Sequence, residues 1–259
     1  MSASSSNSTT KSGVGLKKIQ WGKVALLPLW VVVGFGVSQL TLTGIILALK
    51  AFGVSFGTIN PALLNTLFAA CIYSLSLLIV LGMPWWVQKY KTTKQELGLQ
   101  RLPTWTDIGL APVGFGLYLF LSAIILYVLT LIFPAFDSAQ LQQTGFGNLS
   151  QRYEYILAFI TLVVVAPVAE EILFRGYLYG KLRESVPVWL AILITSVLFG
   201  AVHGQWNVAV DVFALGIILC TLREVTGSIW AGIMLHMIKN GIAFYLLFIN
   251  PSFLRIIGG

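Results

Sequence analysis

Long stretches without any charged residue alternate along this chain with short charged connections, and the pattern changes character near residue 154. Residues 1–23 are rich in Ser, Thr and Asn and carry Lys11, Lys17, Lys18 and Lys23. Such a tail cannot bury a core and is expected to be disordered. A charge-free run from Val24 to Leu49 follows at once. It is too long for the apolar region of a cleaved signal and lacks a small-residue cleavage site, which predicts a retained signal-anchor helix. A second run predicts a helix over about 62–83, ended by Pro84 and the interfacial pair Trp85 and Trp86, and a third a helix over about 109–133, closed by Pro134. Four further helices are predicted over about 155–181, 187–204, 206–222 and 228–249, each with ionisable or strongly polar groups inside apolar sequence. The fold expected is all-α: a polytopic transmembrane bundle of about seven spanning helices, divided into a tail (1–23), three plain helices (24–153) and a polar core (154–250).

Composition makes the membrane reading compelling. Of 259 residues, 57% are hydrophobic and 10% charged, against about 25% charged in soluble proteins. So few charges cannot cover a protein of this size, so most of its outer surface must be apolar and meet lipid. The net charge of +7 would raise nucleic acid in a soluble protein. Here no nucleic-acid partner is expected, because topology accounts for the cations. With the N-terminus inside, eleven Lys and Arg residues fall in cytoplasmic connections and three, Lys50, Arg152 and Arg255, in external ones. The positive-inside rule then predicts a plasma-membrane protein with a cytoplasmic N-terminus. Cys71 and Cys220 both lie in apolar runs and read as small hydrophobes.

The chemistry concentrates beyond residue 154, where Pro167 is followed by Glu170, Glu171 and Arg175. In an α-helix Glu171 and Arg175 pair four residues apart, whereas Glu170 points about 100° away and is left without that partner. A partly desolvated, unpaired carboxylate is a candidate general base. The plainer alternative is an interfacial charge cluster, against which the intervening Ile172, Leu173 and Phe174 argue. The chain has two histidines, His203 and His236. His236 shares a helix face with Asn240, and His203 with Phe199. Counting about 1.5 Å per residue from the cytoplasmic helix ends places Glu171 and His236 at similar depths but His203 several ångströms deeper. Asp211 and Lys239 are expected to form a structural pair within the bundle, and Arg223 and Glu224 to cap the sixth helix. The segment from Trp85 to Trp105 is either a lid lying in the headgroup plane or a simple interface marker.

Taken in order, Glu170-Glu171 with Arg175, Phe199 with His203, and His236 with Asn240 resemble the three motifs of the CPBP intramembrane protease family, which includes the CAAX prenyl endopeptidases and the Abi proteins of bacteriocin processing and immunity. The resemblance covers about 154–249. It implies an endopeptidase that cuts a peptide or lipidated peptide near the cytoplasmic membrane face. Carried over, Glu170 and His203 would activate a water, and His236 and Asn240 would bind it or stabilise the oxyanion. Glu171, Arg175 and Phe199 would support the site. A metal version is equally drawable, with Glu170, His203 and His236 as three ligands of a divalent ion such as Zn2+. No His-Glu-x-x-His motif forces that choice. The cavity is expected between the last four helices, open to the cytoplasm. A catalytically idle immunity or scaffold protein is the first competing class. A transporter is the second, although no inverted repeat is visible.

Overall fold

A computed structural model describes residues 19, 21–136, 143–147 and 149–252. The expected disorder of the N-terminal tail falls mostly on residues 1–18, and Arg255 on the C-terminal stretch, both outside the described residues. Lys23, assigned to the tail, already lies in the first helix. The described residues form seven helices and no strand: α1 (Trp21–Ala51), α2 (Pro61–Gln88), α3 (Trp105–Ile132), α4 (Arg152–Ser185), α5 (Val188–Ala201), α6 (Trp206–Thr226) and α7 (Trp230–Ile249). Among them α1, α2, α3, α4 and α7 are long and apolar enough to cross a membrane. This is an integral membrane protein built as a helical bundle.

The helix expected over 187–204 is shorter than the sequence suggested. α5 has 14 residues, about 21 Å of helix at 1.5 Å per residue. His203 therefore stands in the turn after it. That turn is genuine, because Gly204 adopts φ +67°, a left-handed conformation that suits glycine, before α6 begins. α5 and α6 pack so closely that a Cβ at Gly200 would come within 2.6 Å of the Ala209 carbonyl.

α4 runs through the middle of the bundle and is the most buried of the five long helices. Leu173, Phe174, Leu178, Tyr179 and Leu182 are all inaccessible to solvent. α1 and α2 flank it on one side, while α3 packs on α6 and α7 on the other. Two of the helices depart from α geometry near a proline. α2 widens to a π-helical turn at Leu78–Gly82, just before Pro84, and α4 does so at Ile160–Val165, just before Pro167. Proline lacks the N–H that would serve the carbonyl one turn back. The Val80 carbonyl, whose α-helical partner would be residue 84, receives the indole N–H of Trp30 from α1 instead, at 3.1 Å. α1 can come this close because residue 34 is glycine. A Cβ there would stand 2.5 Å from Val80 Cγ2.

The basic connection between α2 and α3, expected as a lid or an interface marker, folds onto the bundle. It is a strap, packed over the end of the bundle where α4 and α6 finish and α7 begins. Leu97 is buried against Gly176. The Gly98 carbonyl accepts from Ser228 Oγ and from the Ile229 N–H, at 3.0 and 3.2 Å. The Trp230 indole donates to the Arg101 carbonyl at 2.7 Å. Arg223, expected to cap α6, is buried under Gly98 and donates to the Glu96 carbonyl. Glu224 accepts from Tyr179 and Arg183 and so ties α6 to α4.

Candidate active site

Helix irregularity positions the carboxylates. Glu170 is the last residue of a five-residue α segment (Ala166–Glu170) set between two π-helical stretches, the second spanning Glu171–Tyr179. Such insertions recur at functional sites because they rotate successive side chains off the regular α pattern. The Glu171–Arg175 pair forms despite them, with Arg175 Nη1 donating to Glu171 Oε1 at 2.9 Å and both side chains inaccessible. The guanidinium also lies over the Phe199 ring, 4.0 Å from its centroid. A buried pair of this kind is costly to break from one side, since the survivor is left charged and alone.

His236 joins the two carboxylates. Its Nδ1 lies 3.1 Å from Glu171 Oε1, and its Nε2 lies 3.8 Å from Glu170 Oε2. A carboxylate only accepts, so Nδ1 carries the proton and Nε2 is left as an acceptor in the neutral ring. His203 is tethered in the same sense, its Nδ1–H donating to the Phe199 carbonyl at 2.7 Å. Phe199 therefore joins three members of the site: His203 and His236 meet its ring in T-shaped contacts at centroid distances of 5.1 and 5.8 Å, and Arg175 covers its face.

Asn240 has a specific task. In a π-helical turn the Leu162 carbonyl would be served by the N–H of residue 167, which is proline, and the Ala166 N–H goes to Thr161. Asn240 Nδ2 donates to Leu162 at 2.8 Å in its place. The residue is thus half engaged in closing the α4 backbone, with one amide hydrogen and its oxygen still available.

One residue of the site carried no sequence signal. Tyr73, midway along α2, donates its hydroxyl to Glu170 Oε1 at 2.5 Å. Glu170, expected to lack a partner, has this one. Nothing in the second apolar run distinguishes Tyr73 from other interfacial or core aromatics, and only the packing of α2 on α4 brings it here.

Glu170, His203, His236 and Asn240 line a single cavity of about 220 Å³, together with Tyr73, Lys239 and the apolar Phe244. Glu171, Arg175 and Phe199 sit behind this wall as its support. The cavity reaches Gln143, Thr144, Gln205 and Phe248, at the end of the bundle that carries the α3–α4 and α5–α6 connections. Gln143 and Gln205 bond to each other there through backbone and side chain. The strap closes the other end. A cavity open to the cytoplasm and a cytoplasmic N-terminus are therefore incompatible expectations, since the strap end is the end where the charge count places the cytoplasm.

Glu170, His203 and His236, the expected metal set, are arranged in part as ligands would be. Both imidazoles present Nε2 to the cavity with Nδ1 anchored behind, an orientation that metal-bound histidines also show. Yet among the described residues no group of three His, Cys, Asp or Glu side chains gathers closely enough to hold a metal ion. One oxygen of Glu170 is already taken by Tyr73. Glu170, His203 and His236 as they stand do not fit a preformed three-ligand centre.

Fold and site together define a polytopic membrane protein with a carboxylate–imidazole–amide centre lining one cavity of the bundle. A family comparison points the same way. Residues 152–242 match the family model for Type II CAAX prenyl endopeptidase Rce1-like proteins. Three bacterial relatives are similar. A putative membrane peptidase, YdiL, of Bacillus subtilis (strain 168) is 34% identical over 104 residues, 37% of this chain and 43% of that protein. An uncharacterized 24.3 kDa protein of Escherichia coli is 35% identical over 89 residues, 32% of this chain and 41% of that one. The membrane-embedded CAAX protease MroQ of Staphylococcus aureus (strain USA300) is 26% identical over 169 residues, 63% and 67% of the two chains. This chain thus spans about two fifths of the first two relatives. No solved structure matches it. The resemblance to the CAAX protease family stands, carried by the third of the chain, residues 152–242, that holds the site.

Proposed function

We propose that the protein is an intramembrane endopeptidase in which Glu170 activates a water for attack on a peptide bond. The observation that carries this reading is the convergence of Glu170, His203, His236 and Asn240 on one buried cavity of a membrane bundle. The match to a peptidase family and to relatives named as membrane peptidases supports it. Glu170 Oε2 faces the cavity while Tyr73 holds Oε1, so the carboxylate has a fixed orientation with one oxygen left to accept a proton. Glu170 Oε2 accepts one O–H of the water and His203 Nε2 the other, which leaves a lone pair for the carbonyl carbon, and His236 walls the same point. The water oxygen bonds to the carbonyl carbon, its proton passes to Glu170, and the carbonyl π pair becomes an oxyanion. When the C–N bond breaks, Glu170 returns that proton to the leaving nitrogen. Low dielectric strengthens each of these contacts.

The substrate class is a peptide or lipidated peptide reaching the cavity from within or beside the bilayer, with apolar residues against Phe244, Leu247 and Phe248. Cleavage takes place toward the face that carries the α3–α4 connection. The eleven-to-three distribution of cations supports a plasma-membrane location with the N-terminus in the cytoplasm. The reaction is proposed to need no metal.

The test uses the purified full chain and a quenched-fluorescence peptide library. Cleavage that persists after exhaustive chelation and disappears in Glu170→Gln is the expected result. Cleavage lost with the chelator and restored by added Zn2+ would replace the carboxylate mechanism with a metal one. No cleavage of any library peptide by the wild type would favour the scaffold class.

A further inference from the structure

The mechanism above leaves one cavity residue without a task. Lys239 lines the same wall as Glu170, His203 and His236, and among the described lining residues it carries the only fixed positive charge. An ammonium inside a membrane bundle is expensive and persists chiefly where it faces a cavity or a partner. This one does both. Nζ lies 3.2 Å from Asp211 Oδ2, and its side chain retains some exposure, to the cavity. Asp211 is itself held by α3, whose Tyr118 and Ser122 hydroxyls donate to Oδ1 at 2.5 and 3.2 Å. The amine is therefore fixed by a carboxylate that two further groups fix in turn, and of its three donors the pair with Asp211 uses one.

A census of donors around the cavity shows what that amine is for. Attack on a peptide carbonyl moves negative charge from Glu170 to the oxyanion, which needs donors or cations already in place. Both imidazoles have given their Nδ1 protons away, to Phe199 and Glu171, so their Nε2 atoms accept. The Tyr73 hydroxyl proton goes to Glu170, and Asn240 has committed one amide hydrogen to Leu162. Away from the mouth, where Gln143, Thr144 and Gln205 sit, what remains is the second Asn240 hydrogen and the Lys239 ammonium, one residue apart on α7.

We propose that Lys239 is a further catalytic residue whose ammonium, held by Asp211, Tyr118 and Ser122, stabilises the oxyanion of the tetrahedral intermediate beside Asn240. It donates hydrogen bonds and gives up no proton, so the balance of the step is unchanged. The inference rests on the peptidase reading of this cavity. It also departs from the expectation that Asp211 and Lys239 are a purely structural pair.

The test compares wild type, Glu170→Gln, Lys239→Met, Lys239→Arg and the double variant Lys239→Met with Asp211→Asn, using the fastest-cleaved library peptide. Loss of an oxyanion donor lowers kcat about 10²–10³-fold, with KM nearly unchanged. That split is expected for Lys239→Met, with Lys239→Arg recovering at least a tenth of the wild-type kcat. Should Lys239→Met fail to fold because Asp211 is stranded, the double variant removes both charges and the same loss of kcat is expected from it. A double variant that folds and cleaves at the wild-type kcat would overturn the proposal while leaving the peptidase reading intact, provided Glu170→Gln is inactive. A wild type that cleaves nothing overturns both.

Discussion

His236 Nδ1 donates to Glu171 Oε1 across 3.1 Å, and this one contact fixes the tautomer of the ring that faces the cavity. The same oxygen accepts from Arg175, so a single buried carboxylate orients an imidazole on one side and neutralises a guanidinium on the other. Adjacent glutamates thus have different work. Glu170 looks into the cavity, and Glu171 keeps the cavity wall in register.

Exchange of the two glutamates for glutamine separates these tasks. Glu170→Gln is expected to leave folding intact and abolish cleavage. Glu171→Gln leaves Arg175 buried without its counter-charge, which costs roughly 3–5 kcal/mol. Thermal unfolding in detergent should show the large loss for Glu171→Gln alone, and equal stability of the two variants would contradict the assignment.

Asn240 and Pro167 are predicted to be coupled. Asn240→Ala strands the Leu162 carbonyl and should destabilise the protein by about 1–3 kcal/mol. Pro167→Ala restores an N–H that can serve that carbonyl. In a double-mutant cycle the cost of Asn240→Ala should therefore shrink when residue 167 is alanine. Additive effects would show that the α4 backbone does not depend on Asn240.

Tyr73 holds the outer oxygen of Glu170 but touches no reacting atom. Tyr73→Phe is expected to lower kcat about tenfold, the equivalent of roughly 1.4 kcal/mol for a hydrogen bond to a charged group, without loss of folded protein. Steady-state kinetics on the purified variant measures it, and an unchanged kcat would make Tyr73 a packing residue.

Single cysteines at Thr144 and Gln205, introduced after replacement of Cys71 and Cys220, should react with a membrane-impermeant thiol reagent from one side of the membrane. A cysteine at Lys94, in the strap, should react only from the other. In the proposed topology the Lys94 side is the cytoplasm. Labelling of all three positions from the same side would refute the placement of the cavity mouth.

Hydrophobic periodicity sufficed for the membrane class, the seven helices and most of their limits, because the cost of unpaired backbone groups in lipid leaves long apolar runs little choice but helix. Local spacing sufficed for the Glu171–Arg175 pair, which needs only helical geometry, and the isolation of polar groups in apolar sequence picked out Glu170, His203, His236 and Asn240. Other features belong to the tertiary structure alone. Tyr73 reaches Glu170 from 97 positions away, and His236 reaches Glu171 from 65. No local pattern encodes such distances, since they follow from which helix faces pack. The shortness of α5, the strap over the cytoplasmic-charge end and the opening at the other end were hidden for a related reason. A polar connection reads alike in sequence whether it lies in water or is folded onto a bundle, and only Gly176 under Leu97 and Gly98 over Arg223, by admitting close approach, decide that this one is folded down.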